Sequence, residues 1–159
     1  MMGNKHWFQV TFAFALPLAA GAIGGFFSAA NVRTWYPALI KPSFTPPEWV
    51  FGPVWGVLYL LMGLALFLVL VSGQEKDKVR FAAGLFYVHL LLNTLWSILF
   101  FGLRSPLLAL IDIAALWLMI TALVVVFWNI RKLSGVLMAP YWLWVSFASV
   151  LNYSIWRMN

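Results

Sequence analysis

Long apolar runs alternate along this chain with short polar gaps, and the gaps hold nearly all the charge. Five runs stand out, at residues 7–29, 49–71, 81–101, 106–128 and 135–156, each 21 to 23 residues long. At roughly 1.5 Å of rise per residue, each can cross about 30 Å of hydrocarbon once. Backbone groups left unpaired in lipid are costly, and the runs are too long and too uniform for barrel strands, so each is expected to be a helix. The expected fold is an all-α integral membrane protein, a bundle of five transmembrane helices forming one domain over residues 1–159.

Composition agrees with this solvent: 64% of residues are hydrophobic and 9% charged, with a mean hydropathy of +0.94. Only Asp112 lies inside an apolar run. The first run follows Lys5 and ends in small residues, as a signal peptide does, but it is too long for an h-region. Pro17, Gly21, Gly24 and Gly25 suit a packed helix, so it is read as the first span. The absence of cysteine excludes disulfides, thiolate chemistry and Cys-based metal sites. Five spans place the termini on opposite sides. Lys5, Lys76, Lys78, Arg80, Arg131 and Lys132 share the N-terminal side, against Arg33, Lys41, Arg104 and Arg157, so the positive-inside rule favours a cytoplasmic N-terminus. The net charge of +6 is scattered along the span flanks, where it meets anionic headgroups and forms no nucleic-acid footprint.

Residues 30–47, between the first two spans, read as a stiff aromatic loop lying over the bundle as a lid. Pro37, Pro42, Pro46 and Pro47 forbid one continuous helix, and Trp35, Tyr36 and Phe44 are interleaved among them. Pro46 and Pro47 fit the first turn of the next helix. Residues 72–80 read as a solvated connector and 100–106 as a tight turn.

Within the spans, Gly21, Gly25 and Ala29 form a small-residue stripe suited to close helix approach, either within the chain or in a dimer, and Pro17 is expected to kink this helix. Trp49 suits an interfacial anchor, while Trp55 and Tyr59 share a face beside Gly52, Gly56 and Gly63. His89, Asn93 and Trp96 fall on one stripe of the third span. Asn93 suits either an interhelix hydrogen bond or a ligand contact. His89 is a candidate haem axial ligand or proton carrier, a role disfavoured because no second ligand lies near it in sequence. Asp112 is an intramembrane carboxylate, expected to pair with Arg104 or to accept from a buried Trp or Tyr. Trp144, Ala148 and Leu151 share a face of the fifth span. Val150, Tyr153 and Arg157 match a proposed sterol pattern that plain interface anchoring also produces. Measured from the loop side, Trp55, Asn93, Trp96 and Asp112 lie about 8 to 12 Å deep and Tyr59, His89 and Trp144 about 18 Å. That clustering predicts a polar and aromatic cavity under the loop.

The runs TWYPALIKPSFTPPEWVFGPVW, LLLNTLWSILFFGLR and PYWLWVSFASVLNYSIWR resemble the translocator protein family, also called tryptophan-rich sensory proteins or peripheral benzodiazepine receptors. The resemblance implies a five-helix fold, usually dimeric. It also implies a pocket under the first loop for porphyrins, haem-pathway intermediates, sterols and synthetic isoquinoline carboxamides. It places ligand contacts on Trp55, Trp144, Asn93 and Ala148, with the sterol element on Val150, Tyr153 and Arg157. Trp35, Tyr36, Tyr59, His89, Trp96 and Phe147 complete the expected lining. Phe44 departs from a frequent tryptophan and His89 from a frequent glutamine. The chain stops at Asn159 without the basic tail of animal members, so a bacterial protein of the cell membrane is expected.

The expected function is a membrane receptor with protoporphyrin IX or haem as ligand and no required cofactor or metal. Its partners are porphyrins, sterols or other lipids and a second copy of the chain. The alternatives are a transporter, although five spans cannot form two equal repeats, and an enzyme of light-dependent porphyrin breakdown using Trp55 and Trp144. One acidic residue makes no channel filter.

Overall fold

The computed structural model describes residues 4–159, with side chains from residue 9 onward; the side chains of Lys5 and Trp7 lie outside the described residues. Five helices account for almost all of it: α1 (Asn4–Val32), α2 (Glu48–Leu70), α3 (Lys76–Ser97), α4 (Pro106–Ile130) and α5 (Lys132–Met158). All five are long and apolar enough to cross a membrane. They close a ring in the order α1, α2, α5, α4, α3, so each helix packs against two neighbours and α1 meets α3.

The helices run further than the apolar runs because helix propensity continues into the polar flanks until a specific residue stops it. Residues 30–32 therefore belong to α1, and the lid begins at residue 33. Pro46 and Pro47 both precede α2, with Pro47 at its N-cap, φ −54° and ψ 143°. Its extended ψ holds the helix back to Glu48, an acid well placed against the helix dipole. The solvated connector shrinks to residues 71–75, turned by Gly73 at φ 73°. The charged stretch after it is the first turn of α3, carrying the exposed pairs Lys78–Glu75 and Arg80–Asp77, which add little to stability.

Two junctions depart from simple loops. After α3 the backbone widens into a π-helical turn, Ile98–Gly102, closed by Leu103 N–H donating to the Ile98 carbonyl at 2.8 Å. Asn31 Nδ2 donates to the Phe101 carbonyl there (2.8 Å), and Arg104, at φ 52°, donates from Nε to Asn31 Oδ1 (3.1 Å). Ser105 then caps α4, its Oγ accepting from Leu108 N–H, with Pro106 in the first turn. Between α4 and α5 the only non-helical residue is Arg131, at φ −153°. This turn needs Gly135, since a Cβ there would lie 2.8 to 3.0 Å from Trp128 atoms, two of them backbone.

The half of the bundle away from the lid is an apolar core of Met62, Leu66, Val69, Phe86, Ile120, Leu123, Phe127 and Met138. Helices α4 and α5 are joined by a reciprocal clasp. Trp117 Nε1 donates to Ser146 Oγ (2.7 Å) and Trp142 Nε1 to Thr121 Oγ1 (2.9 Å), and each hydroxyl donates back to the carbonyl four residues earlier.

Candidate ligand cavity beneath the loop

Where the ring of helices meets the lid, it encloses a cavity of about 450 Å³ lined by all five helices and the loop. Glycines shape its α1–α2 wall. Deeper in the bundle these helices touch closely: a Cβ on Gly21 would lie 2.4 Å from the Tyr59 ring, and one on Gly63 2.6 Å from Phe14. Gly25, Gly52 and Gly56 line the cavity nearer the loop and have nothing within 4 Å of the Cβ they lack. The two helices thus part towards the lid and leave a glycine-edged gap. The G-x-x-x-G stripe is divided accordingly, with Gly21 engaged inside the chain.

Aromatic rings form the rest of the wall. Trp55 stacks on Tyr59, centroids 5.5 Å apart and planes 29° apart, on one face of α2 as the spacing predicts. Trp144 stands edge-on to Phe51 at 5.8 Å, level with the first turn of α2, so its ring sits higher than residue counting along α5 implies. Ala148 and Leu151 continue the same wall. Trp96 stacks on Phe100 at 5.1 Å and donates to Asn152 Oδ1 (3.0 Å), while Asn152 Nδ2 donates to the Pro106 carbonyl (2.8 Å). Asn152 thereby ties α3, α4 and α5 together at the cavity. The pattern reading missed it, although an asparagine inside an apolar run is the same signal that singled out Asn93.

Asn93 borders the cavity with both ends of its amide engaged. Tyr59 OH donates to its Oδ1 (2.9 Å), and its Nδ2 donates to Tyr141 OH (3.0 Å). Of its two possible roles, the interhelix bond is the one formed. The interior indoles divide in the same way. Trp96, Trp117 and Trp142 each have an acceptor, whereas the N–H groups of Trp55 and Trp144, both at the cavity wall, have none among the described residues.

Three expected lining residues are placed elsewhere. His89 is fully buried behind Tyr141, its ring 4.6 Å from Phe86 and 5.7 Å from Tyr141, with Nδ1 held by the Phe86 carbonyl. Trp35 packs on Phe100 at 5.6 Å, outside the cavity, because the turn of the loop directs Tyr36 inward in its place. Phe147 faces the outer surface between α2 and α5, touching Phe44 of the lid at 6.3 Å. Asp112 and Arg104 do not pair. Arg104 reaches across to Asn31, and Asp112 is 6% exposed with Oδ2 unpartnered among the described residues. Val150 and Tyr153 are 56% and 50% exposed and Arg157 is exposed, so the sterol-like pattern faces lipid and not the cavity.

The lid is fastened by few polar contacts. Lys41 Nζ donates to the carbonyls of Tyr36, Pro37 and Leu39 (2.8, 3.2 and 3.2 Å) and lies 4.8 Å over the Tyr36 ring, which rigidifies the 3-10 turn Tyr36–Ala38. Ile40 N–H donates to Asn159 Oδ1 and Asn159 Nδ2 donates to the Ile40 carbonyl, both at 3.0 Å, binding the loop to the end of α5. Burial, followed by the charge of Glu48, pushes the Tyr36 hydroxyl up to about 12.

Residues 13–157 match the model of the TspO/MBR family. Over 156 residues the chain is 41% identical to the tryptophan-rich protein TspO of Chlorobaculum tepidum, covering 98% of this chain and 99% of that protein. It is 46% identical over 142 residues to the protein of the same name from Archaeoglobus fulgidus, covering 89% and 91%. It is also 38% identical over 138 residues to the translocator protein of Homo sapiens, covering 86% and 82%.

Proposed function

The chain belongs to the TspO/MBR family and is a multi-pass membrane protein; from that premise we propose that it is a receptor for tetrapyrroles, holding protoporphyrin IX or haem in the cavity beneath the loop. The observation that carries this reading is the pair of unpartnered indole N–H groups. Trp55 and Trp144 stand at the wall of a 450 Å³ cavity, within the usual range of about 300 to 1,000 Å³ for small-molecule sites. Neither N–H is committed to an acceptor among the described residues, so both are free to donate, and a ligand with acceptors along its edge would engage both. The aromatic rings offer stacking to a flat apolar ring. No histidine lines the cavity among the described residues, so a haem would be held there without a histidine ligand.

A second reading is light-driven breakdown of the bound ring, favoured by the stacking of Trp55 on Tyr59, which sets two oxidisable rings in contact beside the ligand. The gap between α1 and α2 suits ligand exchange with the bilayer. A sterol at Val150, Tyr153 and Arg157 would lie on the lipid face of α5, separate from the cavity. A homodimer in a bacterial cell membrane belongs to the same proposal.

Titration of detergent-purified protein with protoporphyrin IX in the dark, followed by Trp fluorescence, tests the receptor reading: saturable quenching is expected, and its absence would refute it. Illumination of the complex then separates the readings, since bleaching of the porphyrin band indicates breakdown and a stable spectrum indicates a receptor alone.

A further inference from the structure

At its loop end the cavity changes character. Tyr36, from the lid, and Glu48, the first residue of α2, both line it there. Tyr36 is only 5% exposed, and its hydroxyl makes no hydrogen bond among the described residues, since Lys41 engages its backbone carbonyl and its ring face. Glu48 is the only charged side chain lining the cavity, and it has no ion-pair partner among the described residues. The loop-side cations are engaged elsewhere or face outward: Lys41 holds three loop carbonyls, Arg104 holds Asn31, and Arg33, just past the end of α1, and Arg157, at the end of α5, are exposed. An acid at a helix N-terminus is favourable, which accounts for Glu48 as part of α2. It does not account for a phenol hydroxyl with no partner among the described residues, open to the same cavity wall that this acid lines.

We propose that Glu48 sets the charge class of the ligand, with the neutral Tyr36 hydroxyl as a second acceptor: the cavity takes a flat apolar ring whose loop-facing edge is uncharged or donates hydrogen bonds, and disfavours one presenting a carboxylate there. An anionic edge would lose water and meet a like charge with no lining cation to compensate. An N–H or ammonium edge would instead find a carboxylate and a phenolic oxygen as acceptors. The hydroxyl is neutral at physiological pH, as a phenol ordinarily is, and burial and Glu48 oppose its ionisation further. This inference rests on the receptor reading above, and it implies that a dicarboxylic porphyrin turns its acid groups away from Glu48.

The test compares protoporphyrin IX with its uncharged dimethyl ester, titrated into wild-type protein, Glu48→Gln and Tyr36→Phe in the same detergent. The ester is expected to bind wild type about fivefold more tightly, the scale of one partly screened charge contact. Glu48→Gln should bring the two within about twofold by strengthening the dicarboxylate and leaving the ester unchanged. Tyr36→Phe should retain the preference for the ester, because the charge remains. A ratio that Glu48→Gln does not move, or equal affinities in wild type, would overturn this inference and leave the receptor reading standing. If neither ring binds wild type, the receptor reading fails and this inference fails with it.

Discussion

Replacing Asn93 with leucine should weaken the bundle without removing a ligand contact. Two hydrogen bonds disappear, from Tyr59 OH at 2.9 Å and to Tyr141 OH at 3.0 Å. The two hydroxyls left behind are not equivalent. Tyr59 borders the cavity and can be rehydrated, so its loss is close to the average of about 0.6 kcal/mol for hydrogen bonds between membrane helices. Tyr141 is fully buried, and stranding its hydroxyl costs about 1 to 3 kcal/mol. The sum is about 2 to 4 kcal/mol, measured by reversible unfolding in mixed micelles. Tyr141→Phe on top of Asn93→Leu should add little, because the stranded hydroxyl is then gone; the coupling in the double-mutant cycle should exceed about 1 kcal/mol. Unchanged stability in Asn93→Leu, or additive losses in the cycle, would refute the assignment of Asn93 as a hub joining α2, α3 and α5.

Gly21→Ala should destabilise by about 1 to 3 kcal/mol, since its Cβ would lie 2.4 Å from a Tyr59 ring held by Trp55 and Asn93, whereas Gly25→Ala meets nothing within 4 Å and should melt like wild type. Paired thermal melts check both. Thr121→Val combined with Ser146→Ala should loosen the α4–α5 clasp by about 1 to 2 kcal/mol and shift the emission of the two indoles that lose their acceptors, Trp117 and Trp142. The Tyr36 hydroxyl is raised in the folded state from 10.0 to about 12, so folding favours its neutral form. The stability it supplies is complete below pH 10 and is lost as pH rises through about 12. The free energy of unfolding measured across this window should fall more steeply in wild type than in Tyr36→Phe.

The five helices were legible because lipid makes length and apolarity nearly sufficient evidence for a span. Their ends were less so. Polar residues such as Lys76 to Arg80 continue a helix as readily as they form a loop, and the breaks fall at Pro47, Gly73, Ser105 and Arg131. The α2 face carrying Trp55 and Tyr59 and the α5 face carrying Trp144 and Ala148 came directly from helical periodicity. His89 shares a stripe with Asn93 and Trp96 yet faces away from the cavity, because one stripe of a long helix crosses both the cavity and the core behind it. Trp144 was placed too deep because distance along α5 does not report where an indole meets the neighbouring helix. Glu48 falls between the loop at 30–47 and the apolar run at 49–71, and its position on the wall depends on how α2 meets the lid.

The central claim is that Trp55 and Trp144 hold the ligand while Trp117 and Trp142 hold the fold. Protoporphyrin affinity measured by porphyrin absorbance for Trp55→Phe, Trp144→Phe, Trp117→Phe and Trp142→Phe tests it most directly. Each substitution keeps a ring and removes one N–H. Affinity should fall about fivefold to tenfold in each of the first two, the worth of one hydrogen bond, and stay at the wild-type value in the other two. Equal losses in all four, or none in Trp55→Phe and Trp144→Phe, would contradict it.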